Sequence, residues 1–272
     1  MSENLRQFVA YSTERTRKMA KTNAAASLAW HIDETCLNAW PALREIVLDG
    51  WLVRFSEGLS RRSNSANPLS ARSAISAAVL AETAAFYRRH GRPAIFRVPT
   101  IAAPAADKAL AKAGFTAEGE TCVLHGAIDG VDTTTDPAVT LSSRADRVWF
   151  QAMSALQGHT PEQGHTYRRI IGAISVPAAF AAIAGEGGRL VALAYGVIHN
   201  GMLCYESVIT DARQRRRGHA RKIVTTLAAW AKAQGASDAC LQVLADNTPA
   251  RALYDQIGLT SEVYRYHYRR AQ

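Results

Sequence analysis

Two glycine-terminated helical stretches occur twice in this chain at one fixed spacing. "FYRRHG" ends at Gly91 and "KALAKAG" at Gly114; "WAKAQG" ends at Gly235 and "LYDQIG" at Gly258, in each case 144 residues further on. Each stretch is followed by an apolar, strand-like run, so the order helix, strand, helix, strand is present in both halves. "AKAGFTAEG" also faces "DQIGLTSEV" with Gly, Thr and Glu matched. A shared element order at a constant offset is the mark of an internal duplication. Strands alternating with helices, behind a hairpin turning at Asn200-Gly201, predict an α/β fold with a mixed sheet in each half. At 272 residues, 48% hydrophobic and 20% charged, the chain can build two modest cores.

The remaining elements follow from periodicity and punctuation. "ETCLNAWPALREIVLDG" has the spacing of a helix with a break near Pro41, "WLVRFSEG" reads as a strand and "SARSAISAAVLAETAAFYRRHG" as an Ala-rich helix. "PAIFRVP", "ADKALAKAGF" and "ETCVLHGAI" predict strand, helix and strand. The small and polar run at residues 129–140, "DGVDTTTDPAVT", predicts a linker. Beyond it "ADRVWFQAMSAL" and "TYRRIIGAIS" read as helices, and "ACLQVL", "TPARALYDQIG" and "YRYHYR" as strand, helix and strand. The expected division is a flexible or helical lead-in over residues 1–26, a first domain over 27–130, a linker over 131–140 and a second domain over 141–272.

The formal net charge of +9 favours anionic partners but fixes neither fold nor chemistry. Its densest run is "RQRRRGHARKIVTTLAAWAKAQGA", residues 213–236, which crowds arginines around a single Gly-x-Ala. The run lies between the apolar strand "YESVI" and a helix whose Ile223, Val224, Leu227, Ala228 and Trp230 keep helical spacing. Strand, glycine loop and helix N-terminus together aim backbone N–H groups at one spot where the helix dipole favours negative charge. Gly218 lets backbone approach a ligand closely, and Ala220 leaves room for it. A solvated basic face would explain the charges but not the Gly-x-Ala. Cys36, Cys122, Cys204 and Cys240 are far apart in sequence and form no Cys-x-x-Cys pair, so they read as reduced core residues, with no metal expected. No apolar run approaches the roughly 20 residues of a membrane span, and nothing resembles a signal peptide. The expectation is a cytoplasmic protein, monomer or homodimer, with no membrane partner.

"RRRGHA" resembles the phosphate loop of the GNAT superfamily of acyl-coenzyme A-dependent N-acyltransferases, which has Arg or Gln, two variable residues, Gly, one variable residue, then Gly or Ala. Arg215, Gly218 and Ala220 occupy the defined positions. "LQVLADNTPARALYDQIGL" is similar to the family's following strand and helix, with Asn247, Ala250, Tyr254 and Gly258 in order, and "VYRYHYR" to its last strand. The resemblance covers about residues 188–270. It implies two tandem GNAT-like domains, the second carrying the acyl-coenzyme A site. The backbone of Arg216, Arg217, Gly218, His219, Ala220 and Arg221 would cradle the pyrophosphate. The backbone of Val208 and Ile209 would pair with the pantetheine arm, and the arginines would also meet the 3′-phosphate. Asn247 and Arg251 suit secondary cofactor contacts; Asn247 equally suits a helix cap, and the sequence leaves both roles open.

The resemblance also implies direct transfer of an acetyl group from acetyl-coenzyme A to an amine. Tyr254 matches the family's tyrosine acid, with a buried helix aromatic as the alternative. Glu206, two residues from Val208 and therefore expected on the same face of its strand, is the candidate base, with a carboxylate paired to an Arg as the alternative. The first half departs from the pattern where its phosphate loop should be. It reads "SNSANPLSARSAIS", with Pro68 and no Gly-x-Ala, and Leu110 falls opposite Tyr254. That resembles the degenerate first domain of tandem members, whose part is to complete the fold and one wall of the acceptor pocket; "RFSEGLSRRSNSANP" is polar enough to line it. "QGHTPEQGHTYRR", residues 157–169, is expected as an acceptor loop, with His159, Glu162 and His165 either touching substrate or simply exposed.

Two other classes compete with the enzyme. A basic chain can bind nucleic acid, but no aromatics interleave with the arginines and no helix-turn-helix or zinc pattern is present. A degenerate tandem protein can also be a non-catalytic coenzyme A sensor, against which stands the retained Tyr254. The expected partner is a small-molecule amine acceptor; a peptide or protein amine is the alternative, and discrimination lies in loops that motif reading does not decode.

Overall fold

The computed structural model describes residues 24–272. The lead-in expected over 1–26 lies outside the described residues except for its last three, which are helical. The first half comprises α1 (24–39), β1 (Arg44–Leu48), β2 (Trp51–Phe55), β3 (Ala66–Pro68), α2 (Ala77–Arg89), β4 (Ile95–Pro99), α3 (Pro104–Lys112) and β5 (Thr116–Ala127). The second comprises β6 (Val139–Ser142), α4 (Arg147–Gln157), α5 (Pro161–Gly172), β7 (Ala178–Ala184), β8 (Leu190–His199), β9 (Met202–Thr210), α6 (His219–Ala233), β10 (Asp238–Leu244), α7 (Thr248–Gln256) and β11 (Ser261–Arg270).

All eleven strands join one mixed sheet in the order β1-β2-β3-β4-β11-β5-β10-β9-β8-β7-β6. Each half gives its last strand to the other. β5 lies antiparallel to β10, β11 lies antiparallel to β4, and the exchanged strands pair with each other at the centre. Apart from the edge strand β6, the order reads the same from either end. The repeat is visible in the backbone: α3 spans Pro104–Lys112 and α7 spans Thr248–Gln256, 144 residues later. The four glycines that stop the repeated helices all have positive φ, from +65° at Gly91 to +102° at Gly258, a conformation that glycine adopts without a Cβ penalty. Residues 131–138, within the expected linker, form no helix or strand; they lie along α6, where Asp132 pairs with Arg221 and Asp136 with Lys222.

Helices cover both faces of the sheet. On one face α6 and α7 bury Ile223, Val224, Leu227 and Ile257 against Leu203, Tyr205, Leu241 and Val243, and α2 and α3 bury Val79, Phe86 and Leu110 against Trp51, Val53 and Phe96. On the other face α1, α4 and α5 cover Tyr195, Cys204, Cys240 and Tyr264. Asp33 fixes α1 beneath β4 and the exchanged strand β11 by accepting from Arg97 Nη2 at 2.5 and 2.6 Å and from Tyr264 Oη at 2.6 Å.

Several elements depart from the sequence reading or carry no assignment in it. "REIVL", expected as helix, is the edge strand β1, because Asp49 and Gly50 with φ of +45° and +80° turn it back onto β2. The acceptor loop expected at 157–169 is mostly helix: α5 begins at Pro161, where Thr160 and Gln163 form a reciprocal capping box. "AAFAAIA" is the strand β7, held between β6 and β8 despite alanine's preference for helix. All four cysteines are buried and unpaired.

Candidate active site

A gap opens in the sheet between β9 and β10. Their parallel ladder runs from Met202/Asp238 to Tyr205/Leu241 and stops there. The cause is a bulge in β9. Glu206 faces Tyr195 and Ile209 faces Leu193, so Ser207 and Val208 together oppose the single residue Ala194, with Ser207 at φ +52°. A two-against-one bulge bends its strand and raises its twist, carrying β9 away from β10. Beyond the last pair, Val208 and Ile209 keep β8 on one side and have no strand partner on the other. The bulge also corrects the expectation that Glu206 and Val208 share a face. Val208 packs against the core under α6, whereas Glu206 turns to the opposite face.

The basic loop sits at one mouth of this gap. Ala212–Gln214 form one short turn capped by Asp211, Arg216 adopts φ +61° and Gly218 φ +78°, and α6 then begins at His219. Successive turns of this kind point backbone N–H groups into one concavity. No side chain caps α6 and no acid lies in its first turn, so the N–H groups of His219, Ala220 and Arg221 are left to an anion. A Cβ built on Gly218 would meet nothing within 4 Å, so the glycine serves the left-handed backbone and leaves space before the helix. Arg215, Arg216 and Arg217 are exposed and form no ion pair with a described residue, while Arg221 is held by Asp132.

Tyr254 and Glu206 stand on opposite faces of the sheet at the gap. Tyr254, on α7, is buried in the core with Tyr205, and its hydroxyl makes no hydrogen bond to a described residue. Burial, with the Glu206 charge adding to it, raises its pKa, so the phenol stays protonated at neutral pH. Glu206 is 4% exposed. Its Oε1 accepts from Arg62 Nη1 at 2.5 Å, and Arg62 also reaches Gln242 Oε1 at 3.4 Å and stacks 4.4 Å above the ring of Trp40. Burial pushes the Glu206 carboxyl above the usual carboxylate range, and the charge and hydrogen bond of Arg62 draw it partly back. Both alternatives raised by the sequence are thus realised in space, a buried tyrosine and an Arg-paired carboxylate. Asn247 caps α7 by accepting from Ala250 N at 3.3 Å. Arg251 donates to Ala245 O and to Glu262, both at 3.2 Å.

Arg62, the partner of Glu206, lines a cleft of about 490 Å3 between the halves, walled by the first half's loop Gly58–Arg62 and by Gln242, Tyr266, Tyr268 and Arg270; Glu206 itself lies behind Arg62 and does not line it. The sequence reading missed Arg62 as a partner of the candidate base. His159, Glu162 and His165 do not line this cleft. On the same face the sulfurs of Cys36, Cys204 and Cys240 lie within 4.8 Å of one another, the only such grouping of three potential metal ligands among the described residues.

Comparisons with known proteins identify the family and the fold. Residues 27–269 match the family model described as "Probable histone acetyltransferase Rv0428c C-terminal". The chain is 24% identical over 242 residues to the "Uncharacterized N-acetyltransferase YobR" of Bacillus subtilis (strain 168), covering 88% of this chain and 96% of that protein. Its fold is similar to that of a GCN5-related N-acetyltransferase from Kribbella flavida, with a TM-score of 0.65 at 17% identity over 91% of this chain and 96% of the other. It is also similar to a tandem GNAT protein from the clavulanic acid biosynthesis pathway, with a TM-score of 0.55 at 15% identity over 71% and 68% of the two chains. An uncapped helix N-terminus beside a splayed strand pair, on a sheet built from two like halves, is therefore what the family match explains: the chain belongs to the Rv0428c C-terminal acetyltransferase family and is an N-acetyltransferase of the GNAT superfamily.

Proposed function

We propose that the protein moves an acetyl group from acetyl-coenzyme A to a primary amine of a small molecule, by direct transfer at a single site in the second half. The observation that carries this reading is the gap past Tyr205/Leu241, with an uncapped helix N-terminus at one mouth and a tyrosine and a carboxylate on its two faces. Backbone amides of Arg216–Arg221 hold the pyrophosphate, the free edge of Val208 and Ile209 takes the pantetheine arm, and Arg215–Arg217 approach the 3′-phosphate. Asn247 and Arg251 border the cofactor only by exchanging the bonds they already make. Glu206, on the cleft side, takes the proton that the attacking amine must lose. Tyr254, on the helix side, gives one to the departing sulfur as its bond to the acyl carbon breaks. Holding amine and thioester at the gap supplies much of the remaining acceleration.

The first half contributes a wall and no second donor site. Its counterpart loop contains Pro68 and no Gly-x-Ala. Among the described residues no helix is long and apolar enough to cross a membrane; a cytoplasmic location, where acetyl-coenzyme A is made and used, goes with this reading. Calorimetry should find one coenzyme A per chain, and an amine screen following thiol release from acetyl-coenzyme A should find turnover. Two equal sites, or binding with no turnover of any amine, would overturn the proposal.

A further inference from the structure

The cleft on the Glu206 face is lined by more cations than its acids can neutralise. Arg62 is matched by Glu206, but Arg61 and Arg270 share the single carboxylate of Glu118, at 3.5 and 2.8 Å. Arg92, in the recess that continues the cleft past Arg61 and Arg270, has only the backbone oxygen of Glu57 at 3.1 Å and no acid among the described residues. Arg92 is exposed, but it and Arg61 are both seated against the backbone. Arg61 lies over the ring of Tyr268 at 5.0 Å. It also occupies the space that a Cβ on Gly119 would take, 2.7 Å from its Nη2. Arg92 is seated against Gly58 in the same way, its Cζ 2.8 Å from where a Cβ would be. Two positive-φ glycines, at +67° and +86°, thus make room for two guanidinium groups along one wall.

Charge is also ordered along the cleft. Tyr266, bonded to Gln242 at 3.3 Å, marks the end near Arg62 and Glu206, and Arg270 marks the other. Arg270 lies four residues beyond Tyr266 along β11, at most about 13 Å at strand rise because the strand bulges between Tyr266 and Tyr268. An amine placed at the Tyr266 end, beside the Arg62–Glu206 pair, therefore has the Arg270 end of the wall, where the cations outnumber the acids, on the order of 10 Å away. That is too far for the carboxylate of a simple α-amino acid and suits an anion at the end of a longer arm.

Resting on the proposed transferase function, we infer that the acceptor is a primary amine that carries a carboxylate or phosphate at the far end of a chain of several bonds, bound by Arg61, Arg270 and Arg92. Planar guanidinium forks suit either oxyanion. The anion joins the Arg61–Glu118–Arg270 group without having to break the Arg62–Glu206 pair. A diamine of the same length is repelled from the same place.

Matched probes test this: 6-aminohexanoate, 6-aminohexyl phosphate, 1-aminohexane and 1,6-diaminohexane, each titrated calorimetrically into the coenzyme A-loaded protein and each assayed for thiol release from acetyl-coenzyme A. The expected result is that one or both anionic probes bind and react at least about tenfold better than 1-aminohexane, with the diamine poorest. The carboxylate and phosphate arms decide between the two anions. Arg61→Gln combined with Arg270→Gln should abolish the preference through KM, leaving coenzyme A affinity unchanged. Equal binding of anionic and neutral amines, or no binding of any probe, overturns the anionic subsite. Preferential binding of an anionic probe without turnover of any amine leaves the subsite standing and overturns the transferase reading instead.

Discussion

Arg62 of the first half and Glu206 of the second meet at 2.5 Å behind the cleft wall, so the candidate base of one half has its counter-ion on the other. Glu206 is the more deeply buried partner, with 3% of its side chain exposed against 25% for Arg62. Removing Arg62 would leave a carboxylate in an apolar wall with no cation, and a buried charge without its partner is costly.

Arg62→Gln should therefore move the acidic limb of the kcat/KM profile to higher pH by about one unit or more. The sign follows from the protonation states. Burial already raises the Glu206 pKa and Arg62 opposes that rise, so without Arg62 the carboxyl keeps its proton to a higher pH. A group whose folded pKa is raised stabilises the fold most when protonated. The variant should accordingly lose more stability at pH 8 than at pH 5, which denaturant titrations at the two values would measure. An unmoved acidic limb would remove Arg62 from control of the base.

Tyr254→Phe keeps the ring in its core and deletes a hydroxyl that has no partner among the described residues. Stability should change by less than about 1 kcal/mol, while kcat falls on the order of a hundredfold with coenzyme A affinity unchanged. Single-turnover kinetics would establish that transfer is the step observed. Full activity in the variant would return Tyr254 to a packing role.

Gly218→Glu tests the phosphate loop. The side chain has open space but must adopt φ near +78°, at a cost of about 1–2 kcal/mol, so the protein should stay folded. Its carboxylate would stand where the backbone must receive a pyrophosphate, and coenzyme A affinity should fall at least about tenfold by calorimetry. Unchanged affinity would make the arginine run a solvated face.

The exchanged strands predict how the halves unfold. Heat or denaturant should give one cooperative transition, because β5 and β11 tie each half to the other. Fragments 24–130 and 131–272 expressed singly should be unfolded or aggregated, yet assemble when produced together. Two independent transitions by calorimetry, or a folded single fragment by circular dichroism, would contradict this.

Legibility from sequence varied with how local the cause was. "RRRGHA" is readable because a backbone cradle needs small residues in fixed places, and Asn200-Gly201 because its tight hairpin turn needs positive φ at both positions, +47° and +76° in the structure. Asp49-Gly50 carries the same turn signal, but the apolar spacing of "PALREIVL" hides β1 behind a helical pattern. The capping box Thr160–Gln163 was equally readable and shortens the expected loop to little more than Gly158 and His159. β7 was not readable, since only its neighbours β6 and β8 override the helical preference of alanine. The Ser207 bulge, which turns Val208 away from Glu206, leaves no local mark. Nothing in "LSRRSN" ties Arg62 to a glutamate 144 residues away, and "ETCVLHGAI" and "YRYHYR" do not state which half they will pair with.

That exchange has a consequence for synthesis on the ribosome. Ser261–Arg270, which follows every other described strand in chain order, is also the sheet's inner seam, lying between β4 and β5. Until it emerges, β4 keeps an open edge toward the seam, and β5 cannot pair with β10 before residues 238–244 are made. Neither half can close while the chain grows, although early domains commonly fold first during translation. Nascent chains should thus carry exposed strand edges through most of elongation, the condition under which edge-to-edge association threatens. Residues 261–270 act as the keystone, and a premature stop shortly before them would release a chain with every other described strand made and no middle.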